Sequence, residues 1–107
     1  MVNKKLQSIL AELRQHFESL YGPRLVRLVL FGSQARGDAE PGSDIDILIV
    51  LAEPVDARDE SARTLEFRAT LSLRYDTVVS CIFMSDQEFS GERSPLMLNV
   101  RREGVAV

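Results

Sequence analysis

The chain predicts an α/β (α+β) fold, a small mixed β-sheet with helices packed on it in the order α-β-loop-β-α-β-α. Three observations carry this. Apolar residues first recur at spacings of three and four, the period of one helix face. Three short apolar runs, bounded by glycine, proline or polar residues, then read as strands buried on both faces. A helical stretch of about 20 residues separates the second run from the third, enough for the crossover of a parallel pair, whereas the loop between the first two allows an antiparallel one.

Leu6, Ile9, Leu10, Leu13, Phe17 and Leu20 make one face of a first helix from about Asn3 to Tyr21, stopped by Gly22 and Pro23. Leu25 to Phe31, partly β-branched and bounded by Pro23 and Gly32, predicts the first strand. From Gly32 to Ser43, three glycines, a proline and small polar residues predict a loop with room for one helical turn after Ser33. Ile45 to Leu51 predicts the second strand, ended by Glu53-Pro54. Asp56 to Arg74 predicts a helix with Ala62, Leu65, Ala69 and Leu73 roughly in one stripe, weaker than that of the first helix. Thr77 to Met84 predicts the third strand, apolar on both faces except at Ser80. Ser85-Asp86-Gln87-Glu88 fits a capping box opening a short helix, and Ser94-Pro95 opens a last one through about Glu103, closed by Gly104.

With 107 residues, 45% of them apolar and 27% charged, the chain is expected to form one domain over 1–107, with a core sufficient to fold without disulfides. Cys81 is the single cysteine and cannot pair within the chain, so a cytoplasmic location is expected. The opening segment breaks its apolar residues with Gln, Ser, Glu and Arg, which predicts neither signal peptide nor membrane span. A net charge of −3 excludes a broad basic face, so strong nucleic-acid binding is not expected. Lys and Arg stand six against four Asp and Glu over residues 1–42, one against six over 43–60 and six against six over 61–107. The acidic excess therefore sits in one short window.

Inside that window Asp44 and Asp46 share one face of the second strand with Leu48 and Val50, because side chains two apart point the same way. The carboxylates would stand ~6.6 Å apart along the strand, partly desolvated and mutually repelling, and a divalent cation between them removes that cost. Hard oxygen ligands of this kind suit Mg²⁺ or Mn²⁺, the ions that accompany nucleoside triphosphates. The bland alternative has Asp44 ending the loop and Asp46 at a wet sheet edge. Gly32 and Ser33 follow the first strand, where glycine allows a close turn and the next amides and a hydroxyl can cradle phosphate oxygens. Alone they would be an ordinary turn. The order Gly-Ser, ten residues, Asp-x-Asp, with a strand on either side, is far more specific than either half.

Leu30-Phe31-Gly32-Ser33-Gln34-Ala35-Arg36-Gly37, followed by Ser43-Asp44-Ile45-Asp46-Ile47-Leu48, resembles the signature of the DNA polymerase beta-like nucleotidyltransferase superfamily, in its minimal nucleotidyltransferase branch. The order of predicted elements resembles that fold along nearly the whole chain. The resemblance implies transfer of a nucleoside monophosphate from ATP or another nucleoside triphosphate to an acceptor. It implies that Gly32 and Ser33 hold the triphosphate, that Asp44 and Asp46 bind two Mg²⁺, and that Arg36 offsets phosphate charge, unless Arg36 is merely a solvated loop residue. It further implies a partner, a helical HEPN-type protein, sometimes as toxin to this chain's antitoxin and in some pairs the acceptor of AMP, and the chain is expected to work in a complex with such a helical partner or as a homodimer.

One residue departs from the pattern. The family's third carboxylate, which shares the metals and draws the proton from the acceptor, falls at Ser80, and Asp76 is ~13 Å away along the strand. The alternative is therefore a catalytically weak or inactive module that holds nucleotide or a partner. A third class, a plain α/β interaction domain, makes both motifs coincidental. His16 reads as a surface or boundary residue and Cys81 as a core thiol sharing its face with Val79 and Phe83.

Overall fold

The computed structural model describes residues 4–37, 39, 43–52, 54–91 and 93–107. The expected helix start at Asn3, the strand end at Glu53 and residues 38 and 40–42 of the loop lie outside these. The described elements are α1 (Lys4–Tyr21), a 3₁₀ turn (Gly22–Arg24), β1 (Leu25–Phe31), α2 (Ser33–Arg36), β2 (Ile45–Leu51), α3 (Ala57–Tyr75), β3 (Val79–Ser85), α4 (Asp86–Gly91), α5 (Pro95–Glu103) and β4 (Val105–Ala106). The sheet runs β3-β2-β1-β4, with β1 and β2 antiparallel, β2 and β3 parallel, and β4 antiparallel to β1. This is the mixed α/β sheet that the sequence predicts, with one strand added.

Both faces of β2 are covered, which is why it has no polar alternation after Asp46. On one face Ile45, Ile47, Ile49 and Leu51 meet Leu6, Ile9, Leu13, Phe17 and Tyr21 of α1, together with Leu28, Leu30, Leu71, Val79 and Phe83. On the other, Leu48 and Val50 meet Met84, Met97 and Val100, with Val29, Phe31, Ile82 and Phe89 packed alongside. Each of these large side chains contributes about 1.5–3 kcal/mol by leaving water.

The sequence does not predict the fourth strand because it is two residues long, below the length at which periodicity carries a signal. Gly104 is more than a helix stop, since a Cβ there would collide with the carbonyl of Val100 and with Cγ1 of Val29. The chain passes that close to β1 in order to pair with it.

The stripe Ala62, Leu65, Ala69 and Leu73 is a correction. All four residues are exposed, and α3 instead buries Glu60, Thr64 and Leu71 and packs Phe67 against the core. Partners explain how polar residues occupy a buried face. The Tyr21 hydroxyl donates to Glu60 Oε1 at 2.7 Å, Arg63 and Arg24 stand 3.7 and 3.9 Å from its carboxylate, and the Thr64 hydroxyl donates to the Glu60 carbonyl at 3.0 Å. Burial and the adjacent Glu60 push the Tyr21 phenol well above its ordinary pKa, so it remains a donor. Helix ends follow the sequence more closely. Asp56 accepts from the amides of Arg58 and Asp59. Ser85 and Glu88 exchange the two bonds of a capping box, and Ser94 accepts from Met97.

Tyr21→Phe should destabilise the fold by about 1–3 kcal/mol in urea denaturation, because a buried carboxylate loses its closest donor. A loss within error would show that Arg24 and Arg63 suffice.

Candidate active site

β1 ends and β2 begins at the same edge of the sheet because the two strands are antiparallel, and the parallel β3 starts there too. Asp46 is consequently registered with Phe31 on β1 and with Ser80 on β3. Gly32 and Ser33 follow Phe31 directly, and Asp44 lies just before the strand, so the topology gathers Gly32, Ser33, Asp44, Asp46 and Ser80 at one end. Asp44 is exposed, whereas Asp46 and Ser80 are half-buried. Registered residues of a parallel pair point to the same face, so Ser80 stands beside the Asp46 carboxylate.

Gly32 has φ 76° and ψ −158°, a combination almost confined to glycine. A Cβ at this position would also run into Asp46 Oδ2, so the turn presses bare backbone against the carboxylate. Steric exclusion and backbone conformation independently demand glycine. The turn opens α2, whose carbonyl at Gly32 accepts from Ala35 and Arg36, leaving the amides of Ser33 and Gln34 without an intrahelical acceptor. Gln34 Nε2 reaches the carbonyl of Ser43 at 3.4 Å and so ties α2 to the residue preceding Asp44.

Burial first, and the charge of Asp44 second, raise the pKa of Asp46 above its ordinary value, with Arg36 opposing. Among the described residues no hydrogen bond reaches this carboxylate to offset the cost. Arg36 is half-exposed and forms an ion pair with Glu103 at 3.2 Å. It therefore stands between an acid at the site and one on α5, a long-range tie that no local motif in the sequence announces. Gln34 is likewise in the signature stretch, but only the folded loop shows what it holds.

The described residues contain no group of three His, Cys, Asp or Glu able to share a metal ion, so Asp44 and Asp46 stand as a pair. Asp76 caps the C-terminus of α3 in a left-handed conformation, φ 52°. His16 stacks on Phe67 at 3.7 Å, and burial lowers its pKa, so the imidazole serves the α1–α3 contact. Cys81 packs against the core, and burial pushes its thiol up to about 12, so little thiolate exists at neutral pH.

A carboxylate with a raised folded-state pKa makes the folded state bind a proton more tightly than the unfolded chain. Stability is then lost as pH rises from the ordinary aspartate pKa to the raised value. In metal-free buffer Asp46→Asn should thus melt at a higher temperature than the parent at neutral pH, with the gap closing below about pH 4. Equal melting temperatures at both pH values would deny the repulsion.

The family model described as "Nucleotidyltransferase domain" matches residues 10–95, which contain every residue of this cluster. A relative from Methanocaldococcus jannaschii, "Putative protein adenylyltransferase MJ0141", is 34% identical over 74 residues, 69% of this chain and 74% of its own length. Two solved structures are similar in fold. One, described as tri-AMPylated Shewanella oneidensis HEPN toxin in complex with MNT antitoxin, has a TM-score of 0.60 and 20% identity over 94% of this chain and 69% of the other. The second, a toxin-antitoxin with AMP-PNP, has a TM-score of 0.59 and 22% identity over 95% of this chain and 68% of the other. On the family match and this shared fold, the chain belongs to the nucleotidyltransferase domain family and is a nucleotidyltransferase.

Proposed function

We propose that the chain, as a single cytoplasmic domain over 1–107, transfers AMP from ATP to a hydroxyl of a partner protein in a Mg²⁺-dependent reaction. The observation that carries this is the contact of Gly32 with Asp46, which sets the turn proposed to take the triphosphate against the carboxylate proposed to take its metal. Asp44 and Asp46 fit Mg²⁺ or Mn²⁺, since Mg²⁺ is ordinarily held by one or two carboxylates plus substrate phosphates and keeps several waters. Bound there, the cation supplies charge neutralisation for the phosphates and the leaving pyrophosphate.

Ser33, through its hydroxyl and amide, and Gln34, through its amide, orient the triphosphate. Arg36 adds positive charge, for which it would have to share or leave Glu103. In the reaction the acceptor oxygen bonds to the α-phosphorus, the bond to the bridging oxygen breaks and pyrophosphate departs. The acceptor's proton needs a base that Ser80 cannot supply, so solvent or the acceptor protein receives it.

The protein acceptor rests on two likenesses, the adenylyltransferase name of the archaeal relative and the AMPylated HEPN toxin of the structural neighbour. A HEPN-type helical partner is therefore proposed, with a homodimer as the other assembly. One observation favours a second reading, a module that binds nucleotide or partner with little turnover. Ser80 is beside Asp46 where the resemblance expects a third acid, and the described residues offer no third ligand.

Incubation with Mg²⁺, ATP and a HEPN-type helical partner protein should add AMP units to that partner by mass spectrometry, and Asp46→Asn should abolish them. Complex formation without addition would favour the binding module. Ser80→Asp should tighten Mg²⁺ binding or raise turnover. If the substitution only lowers stability, position 80 belongs to the core and not to the metal site.

A further inference from the structure

The face of α3 turned away from the sheet holds Ala62, Leu65, Ala69 and Leu73, with Leu65 58% and Leu73 85% exposed. Single exposed leucines are ordinary, but four apolar residues at spacings of three and four form a continuous stripe ~17 Å long on a helix surface. Its pattern is self-complementary. If a second α3 is laid antiparallel about a two-fold axis level with residue 67, Leu65 of each copy lies level with Ala69 of the other. Leu73 then lies within about one residue, ~1.5 Å of rise, of Ala62. Each leucine meets an alanine, the alternation of large and small that lets two helices approach and interdigitate.

The charges obey the same symmetry. Arg58, one turn before Ala62, is exposed and falls on the stripe's side of the helix by spacing, and Asp76, the left-handed C-terminal cap, is exposed just past the other end. The axis that matches leucine to alanine brings Arg58 level with Asp76 of the other copy, twice per dimer. A parallel arrangement would set arginine on arginine and leucine on leucine. Antiparallel packing also opposes the two helix dipoles. A helical partner of unrelated sequence would require no such internal symmetry.

We propose that this face of α3 is an isologous, antiparallel interface with a second copy of the chain. It requires nothing of the nucleotide site, so it stands or falls separately from the proposed transfer reaction.

Sedimentation equilibrium of the full chain, without nucleotide or metal, tests it over a wide concentration range at low and high salt. The parent should associate to a dimer. Leu65→Glu and Leu73→Glu should each weaken that dimer on the order of a hundredfold or more, since each places a carboxylate in the apolar contact twice. Both side chains are solvent-facing, so thermal melts of the monomers should be little changed. Arg58→Glu should weaken the dimer roughly tenfold at low salt, with the deficit shrinking at high salt as the Asp76 contact is screened. A parent that remains monomeric throughout, even one that captures a helical partner on this face, overturns the proposal. So does a dimer that tolerates both glutamates, and an Arg58→Glu dimer as tight as the parent's overturns the antiparallel register.

Discussion

An acid set against bare backbone at the mouth of the central strand is the constraint on which the rest of this end of the molecule depends. Asp46 enters from β2 with apolar neighbours on its own face, and nothing among the described residues satisfies its carboxylate. Its position permits only glycine at residue 32, because a side chain there would occupy the space of Oδ2. The same glycine turns the chain into α2, and α2 in turn places Arg36 where it lowers what burial and Asp44 raise. Geometry and electrostatics at the site thus derive from one close contact.

The opposite end of the sheet treats a buried acid differently. Glu60 is even more enclosed than Asp46, yet it receives a hydrogen bond from Tyr21 and lies within reach of Arg24 and Arg63. Those groups come from the end of α1, the turn before β1 and the start of α3, so the satisfied acid pins three segments together. Asp46, half-buried against Gly32, has no such set of partners among the described residues. The two ends of one sheet thus treat an enclosed acid in opposite ways, one supplying its hydrogen-bond donor and the other leaving its pKa raised.

What could be read in the sequence follows from the same physics. β1, β2 and β3 are legible because burial on both faces forces continuous apolar runs, and Gly32 is legible because its close approach to Asp46 admits only glycine, whereas Asp44, expected on the second strand, lies just before β2. α3 misled for the converse reason. Its buried side carries Glu60, which the distant Tyr21 satisfies, and Thr64, which bonds back to its own helix, while Leu65 and Leu73 face outward. Periodicity reports where apolar residues are, not which side is covered. β4 pairs with β1 through only Val105 and Ala106, and the Arg36–Glu103 pair joins residues far apart in the chain, so neither leaves a local pattern.

Ser80 shows how the same register that builds the site limits it. A third acid there would stand beside Asp46 on the neighbouring strand, adding a like charge to a carboxylate already disfavoured by burial and by Asp44. Serine spares Asp46 that repulsion, and in the proposed site it would supply neither a strong metal ligand nor a base. If Asp44 and Asp46 take the proposed cation, two acids would hold it less tightly than three and would leave more of its binding to the nucleotide phosphates. The proposed reaction would also leave the acceptor's proton to a group that arrives with the acceptor. In the transfer proposed above, orientation of the acceptor would then carry more of the rate than in a three-acid site, and that demand would favour a protein surface, docked and held, over a freely diffusing alcohol.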